Sequence, residues 1–512
     1  MKKKVRSLEG SHILPLLFII VLLISGCIRI LQSLNFDFPF TFDQARDMLD
    51  IRVIGNFIDL KVSGPTTSIT GLNLGPYYYF LNLPAYWIGF GNPQFLIYWN
   101  IILFLLSGIA IYLFFFKKNQ LLGFYISSIF LMSPQLFSVT RYFWNAHAVV
   151  YLIVLYFLAF WNFLEKRDSK SVLIWGLVAG FLIQFEAAFG SMCLVFAFLF
   201  ILLNRNWKMT RNFLFASLPW FLPQVGYEVI NHFQMTKLLL GIFTGANPIL
   251  GEKIALIDIM VLHFKTITSF FEGQFMLPYG GGFALLIFAL IFAFTNKTHK
   301  KITLYFLSFL LFTYLYYVVI YHHELKPWYL EGIRVWYCFV VGIGFASVTR
   351  FKKVAIVLIA LFLIRSFYLT VLDQQIYISD NGKSNDPKNA SNILTSIDWV
   401  YGKANGEGFD AYDYVPEITD FSTQYMYSWY GTKKYGYTPD KVSYNTSPVP
   451  EYIRSNDHFQ NKRKPSEEKI ALIYETIGDY QTWLLQFKDY CVIDSKEFEY
   501  RTKVEWREKC GT

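Results

Sequence analysis

The chain has 512 residues, of which 54% are hydrophobic and only 16% charged, a balance that excludes an ordinary soluble protein of this length. Its formal net charge of +9 sits in short runs beside apolar blocks, among them Lys2 to Arg6, Lys117-Lys118, Lys166-Arg167, Arg205 to Lys208, Lys297 to Lys301 and Arg350 to Lys353. That placement marks the cytoplasmic ends of membrane spans and excludes a nucleic-acid-binding face.

The class is therefore a polytopic α-helical membrane protein. The first apolar run, 13–31, is long and lacks a small-residue cleavage site, so it reads as an anchor and not a removable signal. Further spans are predicted at 95–116, 121–139, 147–164, 171–187, 189–204, 212–230, 281–295, 302–321, 332–348 and 354–372. The apolar stretch 77–90 is short and interrupted by Asn82 and Pro84. With the N-terminus and Lys117-Lys118 both inside, an even number of crossings separates them, so 77–90 reads as a re-entrant piece. Eleven spans follow, with the N-terminus cytoplasmic and the C-terminal region outside.

Directly after the first span comes Phe40-Thr41-Phe42-Asp43-Gln44-Ala45-Arg46-Asp47. Thr41-x-x-Gln44 has the form of a capping box, with Asp43 in the first helical turn. Leu49, Val53 and Phe57 recur at four-residue spacing, which predicts an amphipathic helix over 43–59 lying in the membrane interface. Asp43 accordingly has two readings, a helix-start carboxylate or a base held at the membrane surface, with Asp37 as an assisting acid or a solvated loop residue. About thirty residues on, Gly75-Pro76-Tyr77-Tyr78-Tyr79-Phe80 breaks the loop and feeds an aromatic run back toward the membrane.

On this topology the outer face also receives the turn from Arg141 to His147, the loop around 231–280 and the turn from His322 to Tyr329. Acids stand at two outer span ends, Glu186 and Glu228. Residues 1–372 form the membrane domain, and 373–512, which has no spanning hydrophobicity, reads as an extracytoplasmic α/β domain. Its tyrosines and tryptophans, such as Tyr425, Tyr427, Trp429, Tyr430, Tyr435 and Tyr437, are expected mostly in its core. Cys491 and Cys510 are placed to form a disulfide on the outer side, whereas Cys27, Cys193 and Cys338 fall in spans as small apolar residues.

The order of these features resembles the type-C (GT-C fold) membrane glycosyltransferases that use lipid-phosphate sugars, the superfamily of protein O-mannosyltransferases and lipid A aminoarabinose transferases. Asp43-Gln44-Ala45-Arg46 is similar to the family's Asp-Glu-x-Arg motif after the first span, and Gly75-Pro76-Tyr77-Tyr78-Tyr79-Phe80 to its Pro-Pro-Leu-Tyr-Tyr-Trp motif. Arg141-Tyr142-Phe143-Trp144-Asn145 and the Pro219 to Phe233 segment resemble outer-face segments of bacterial members more loosely. Two positions depart from the pattern: the second acid of the pair is Gln44, and the lysine before the proline motif of aminoarabinose transferases is Leu74.

The resemblance implies a polyprenyl-phosphate sugar donor and inverting transfer to an acceptor hydroxyl on a glycan, lipid or protein at the outer face of the cell membrane. It implies catalytic roles for Asp43, Arg46 and Glu228. Donor phosphate would be met by Arg141, Lys326, His323 or Arg334, with His322 and His147 behind them. Asp47, Asn145, Tyr77 and Tyr78 would contact acceptor or sugar. No motif requires a cofactor or metal; some relatives use a divalent ion, which Asp43, Asp47 and Glu228 would share. Neither an Asp-x-Asp motif nor a phosphate-binding loop of the Walker type occurs, which fits a lipid-phosphate donor. The competing classes are a transporter or lipid-linked glycan flippase, which normally shows paired broken helices at mid-membrane, and a membrane protein whose outer domain binds glycan or a partner.

Overall fold

The computed structural model describes residues 13–67, 69, 71–244, 254–273, 280–348, 385–416, 420–444, 458–463 and 468–511, with 357, 360, 361, 364, 365, 367 and 368 between them. Most of the expected span 354–372 lies outside the described residues. Chain contacts divide the molecule into two units. The first comprises Met1–Ile30, Lys61–Leu81 and Trp99–Leu372; the second comprises Leu31–Leu60, Asn82–Tyr98 and Asp373–Thr512. The second unit thus takes in 31–60 and 82–98 as well as the domain expected from residue 373 onward.

The helices of the chain are α1 (Ile13–Leu31), α2 (Phe42–Gly55), α3 (Tyr77–Gly89), α4 (Pro93–Phe116), α5 (Gln120–Met132), α6 (Gln135–Arg141), α7 (Asn145–Lys166), α8 (Ser169–Ile183) and α9 (Ala187–Leu202). They continue with α10 (Trp207–Ser217), α11 (Leu222–Ile230), α12 (Gln234–Thr244), α13 (Leu256–Gly273), α14 (Gly281–Thr295), α15 (Lys297–Ile320), α16 (Glu331–Ser347) and, in the second unit, α17 (Ala390–Ala404). Among the described residues five helical stretches are long and apolar enough to cross a bilayer, namely α1, α4, α7, α15 and Pro327–Ser347. The pair α5–α6 is a sixth if its 61° bend is counted as one broken span, and α8, α9 and α14 are apolar but shorter.

Proline explains much of the difference from eleven regular spans. The expected span 121–139 breaks at Ser133, which takes an extended backbone (φ −65°, ψ 122°) ahead of Pro134 because the proline ring clashes with a helical predecessor. The expected span 212–230 is split by Pro219 and Pro223 into α10, a short 3₁₀ turn and α11. By contrast, 77–90, expected to be interrupted at Pro84, contains the continuous helix α3 with Pro84 inside it.

The break between α5 and α6 is stabilised by the first helix. Ser25 Oγ donates to the Leu131 carbonyl at 2.8 Å and Arg29 Nη2 to the same oxygen at 3.3 Å. The fully buried Arg29 guanidinium lies 4.0 Å and 3.9 Å from the ring centres of Phe104 and Phe137. Carbonyls orphaned at a helix end are thus met by a cation whose own charge is sheltered by two aromatic faces.

In the second unit a five-stranded mixed sheet runs β2 (Lys441–Ser443), β1 (Asp410–Tyr414), β3 (Lys469–Glu475), β5 (Thr502–Lys509), β4 (Tyr490–Phe498). β1 is parallel to β2 and β3, while β5 is antiparallel to β3 and β4. Tyr412, Tyr414, Ile470, Leu472, Tyr474, Trp483 and Phe487 form one core cluster on this sheet. Tyr425, Tyr427 and Tyr437 are also buried, so these aromatic side chains serve packing as expected. Cys491 and Cys510 are joined in a disulfide at the end of the β4–β5 pair.

The loop after the first span is built into this unit. Phe40 N donates to the Lys388 carbonyl at 2.8 Å and Ala390 N to the Phe38 carbonyl at 2.9 Å, a short antiparallel bridge. Asn389 Nδ2 donates to Asp37 Oδ1 at 2.8 Å. Asp37 therefore engages the start of α17, where Asn389 is buried.

Candidate active site

Helix α2 begins as its sequence dictates. The Gln44 side-chain oxygen accepts the Thr41 N–H at 3.0 Å, closing the capping box, an arrangement that contributes on the order of 1 kcal/mol. The helix is not the amphipathic surface element expected, because every residue from Gln44 to Gly55 is buried, charged ones included. Its charges are matched by partners within the second unit. Arg52 Nη1 donates to Ser428 Oγ at 2.6 Å, and its guanidinium lies 3.9 Å from the Phe459 ring centre.

The first turns of α2 hold the acidic motif. Arg46 Nη1 meets Asp43 Oδ1 at 2.9 Å, while Arg46 Nη2 and Nε donate to Asp47 Oδ1 at 2.8 Å and 3.0 Å. One guanidinium thus fixes two carboxylates of different character. The Asp43 side chain is 33% exposed, whereas Asp47 is wholly buried and Arg46 nearly so. Burial pushes the Asp47 carboxyl up to about 7, against the opposing pull of Arg46 and with added repulsion from Asp43 and Asp50. Asp47 Oδ2 and Gln44 Nε2 have no hydrogen-bond partner among the described residues. In this geometry Asp43 is the member that can reach a ligand, and Arg46 and Asp47 set its direction.

The remaining expected residues belong to the first unit. There the Gly75-Pro76 break rests on a tight loop in which Gly64 N donates to the Leu74 carbonyl at 2.8 Å and Leu74 N to the Pro65 carbonyl at 2.9 Å. A Cβ on Gly75 would lie 1.5 Å from Gln184 Oε1, so any side chain there would have to displace that buried amide. Gln184 Nε2 donates in turn to Gln224 Oε1 at 2.9 Å. Tyr77 packs edge-on against Trp220 at 5.0 Å and Phe181 at 5.8 Å, and Tyr78 against Phe185 at 6.3 Å. Asn145 Nδ2 donates to the Phe185 carbonyl at 2.8 Å. Tyr77, Tyr78 and Asn145 are therefore gathered around the α8–α9 corner, where Glu186 caps α9 through the Ala188 N–H.

A second cluster surrounds the start of α16. Arg334 Nη2 pairs with Glu331 Oε1 at 3.0 Å, and Arg334 Nη1 donates to the Gln135 carbonyl at 3.0 Å, at the base of the short helix that ends in Arg141. Trp144 and Trp328 touch at 5.9 Å, joining the turn after Arg141 to the turn after Lys326. Lys326 itself pairs with Glu324 at 3.0 Å in an exposed ion pair. His323 presents its carbonyl to His263 Nε2 at 2.9 Å and its ring to Tyr321.

Glu228 has a structural task in this fold. Its Oε1 accepts the Met235 N–H at 3.0 Å, and its Oε2 accepts the Thr236 N–H at 2.9 Å and the Thr236 hydroxyl at 2.5 Å. The carboxylate thus covers orphan donors in the first turn of α12. Next to it, Asn73 Nδ2 donates to the Tyr227 hydroxyl at 3.2 Å, tying the loop before Gly75 to α11.

Sequence reasoning passed over Glu331, Gln184 and the acid pair Asp413 and Asp420. Glu331 carried a usable signal, since its three-residue spacing from Arg334 places both on one helix face. Asp413 and Asp420 are buried in the second unit, where burial first and the neighbouring Asp420 next push the Asp413 carboxyl well above the usual range. They stand seven residues apart, one in β1 and the other just ahead of the helix Phe421–Met426, and their burial comes from packing that no local pattern records. Among the described residues no group of three or more histidine, cysteine, aspartate or glutamate side chains is arranged to hold a metal ion.

No protein-family model matches the chain, and no curated protein matches its sequence. Solved structures do match. ArnT from Cupriavidus metallidurans bound to undecaprenyl phosphate superposes with a TM-score of 0.60 at 10% identity, covering 96% of this chain and 97% of that one. The apo form of the same enzyme gives 0.59 at 11% identity over the same shares. The Archaeoglobus fulgidus oligosaccharyltransferase gives 0.47 at 13% identity, covering 92% of this chain and 69% of that one. The chain therefore has the GT-C glycosyltransferase fold.

Proposed function

We propose that the protein is an integral-membrane glycosyltransferase that moves a sugar from a polyprenyl-phosphate donor to an acceptor hydroxyl at the outer membrane face. The observation that carries this reading is the solvent-reaching Asp43 carboxylate, held at 2.9 Å by a buried Arg46 on the loop after the first span. The fold shared with ArnT, whose structure holds undecaprenyl phosphate, supports the donor class.

In the proposed reaction Asp43 accepts the proton of the acceptor hydroxyl. The acceptor oxygen attacks the anomeric carbon and forms the new glycosidic bond, while the bond from that carbon to the phosphate oxygen breaks on the opposite face. The configuration inverts, and the electron pair leaves on polyprenyl phosphate. An anionic leaving group needs fixed cations. Arg141 and Arg334, linked through the ends of α6, are the proposed pair; Lys326 and His323 are second candidates because they lie on the outer turn. Asn145, Tyr77 and Tyr78 remain proposed contacts for acceptor or sugar, whereas Asp47, expected among them, is wholly buried and is not one. The C-terminal sheet domain is proposed to stand outside the cell membrane. No divalent ion is required by this scheme.

The test is sugar transfer from a panel of radiolabelled polyprenyl-phosphate sugars in membranes carrying the wild type or Asp43→Asn. Loss of a general base is expected to reduce transfer 10²- to 10⁴-fold with expression and folding unchanged. Equal transfer by both proteins would return Asp43 to a helix-start role. Movement of intact lipid-linked sugar between leaflets without transfer would favour the flippase reading instead.

A further inference from the structure

The stripe of α2 expected to face lipid is buried, yet the second unit carries a different exposed apolar surface at the ends of two helices. Phe57, Ile58 and Leu60 follow α2, and Trp87, Ile88 and Phe90 close α3. Phe57 is 77% and Phe90 85% exposed. The two ends are one patch, because the Phe57 and Trp87 rings stack at 6.4 Å and Asn56 Nδ2 donates to the Tyr86 hydroxyl at 2.8 Å.

Both phenylalanines occupy the left-handed region, Phe57 at φ 57° and Phe90 at φ 50°. Helix ends of this kind ordinarily take glycine or asparagine, and a bulky aromatic there is strained. An exposed phenylalanine gains nothing from water that would offset this strain, so the conformation points to a contact outside the chain.

Several polar groups of the patch are already paired internally. Phe57 N donates to Ile54 O at 2.9 Å, Ile58 N to Val53 O at 3.0 Å, Phe90 N to Trp87 O at 3.2 Å and Gly91 N to Tyr86 O at 3.0 Å. The Trp87 indole N–H donates to the Gly55 carbonyl at 3.0 Å, Trp429 Nε1 to the Phe90 carbonyl at 3.2 Å and the Tyr425 hydroxyl to the Gly91 carbonyl at 2.6 Å. These groups can leave water without losing their partners, which favours entry of the turns into hydrocarbon.

Chain continuity names the occupant. Phe90 lies just ahead of Pro93, the first residue of the span α4, so this tip is tied to the depth at which that span begins. We propose that Phe57, Ile58, Leu60, Trp87, Ile88 and Phe90 form a wedge inserted among the acyl chains of the outer leaflet. It holds α2, and with it the acidic motif, at a set height above the bilayer. Asp59, between Ile58 and Leu60, directs its carboxylate to the headgroup layer, where aromatic and polar side chains mix. This assignment does not depend on the proposed transfer reaction.

The experiment uses full-length protein with Cys27→Ser in phosphatidylcholine–phosphatidylglycerol nanodiscs. Nitroxide is attached at Phe57→Cys, Ile88→Cys or Phe90→Cys, and collision with oxygen and with a neutral nickel chelate is measured. Leu113→Cys on the exposed face of α4 supplies the lipid reference, and Lys433→Cys in the sheet domain the water reference. Oxygen-to-nickel ratios at the three sites at least tenfold above that at 433 and approaching that at 113 are expected. Ratios equal to that at 433 would overturn the proposal. So would poor access to both reagents with spin–spin broadening, which would mark a contact between two copies. Ile88→Cys, at a position without positive φ, keeps the test valid if labels at 57 and 90 disturb folding.

Discussion

Asp43 and Asp47 share one arginine but differ in solvent access, and that difference separates their roles. The Asp43 side chain reaches solvent, as the proposed base must; Asp47 is buried, and its carboxyl is raised from 3.8 to about 7 by desolvation. Because the folded state binds this proton more tightly, the stabilisation is complete below about pH 4 and is lost as pH rises through about 7. The full difference corresponds to roughly 4 kcal/mol. Asp47→Asn is therefore expected to flatten the decline in apparent melting temperature between pH 4 and 7 in detergent. An unchanged decline would place the titrating group elsewhere. Glu228 tests another division of labour. Glu228→Gln is expected to lower the melting temperature through a weakened α12 cap, by about 1 kcal/mol, while the pH dependence of transfer stays that of the wild type. A shifted pH profile would instead assign Glu228 to the chemistry.

At the scale of elements, the helix start at Thr41 was legible because a capping box is a local pattern, and its bonds depend only on residues three apart. The burial of α2 was not, because its Arg52 meets partners such as Ser428 and Phe459, hundreds of positions away. Breaks followed the same rule in reverse. Pro134 bends α5–α6 and Pro223 follows a break, yet Pro84 sits within the continuous helix α3, so a proline in an apolar run set the possibility and packing set the outcome. The Gly75-Pro76 motif makes the tightest prediction. Gly75→Ala drives a methyl into the Gln184 amide and is expected to cost about 1–3 kcal/mol. Adding Gln184→Ala should recover part of the lost thermal stability. Failure of the second change to help would show that the loop backbone, not the amide, forbids a side chain at 75.

Across the whole molecule, the disulfide between Cys491 and Cys510 offers a measure of topology. After mild reduction of intact cells, a membrane-impermeant maleimide is expected to label these two cysteines and leave the buried Cys193 and Cys338 unmodified. Labelling only after permeabilisation would put the sheet domain inside. The membrane class, the basic runs beside apolar blocks and the acidic and aromatic motifs were determined by the sequence itself. Hydrophobicity, charge placement and short-range capping act over a few residues and leave their mark on the chain. Only the tertiary structure decided that 31–60 and 82–98 fold with the terminal domain, that Glu228 caps a helix and that Glu331 pairs with Arg334 beside α6. These outcomes rest on hydrogen bonds and packing between distant segments, whose partners are chosen by three-dimensional proximity and not by spacing along the chain.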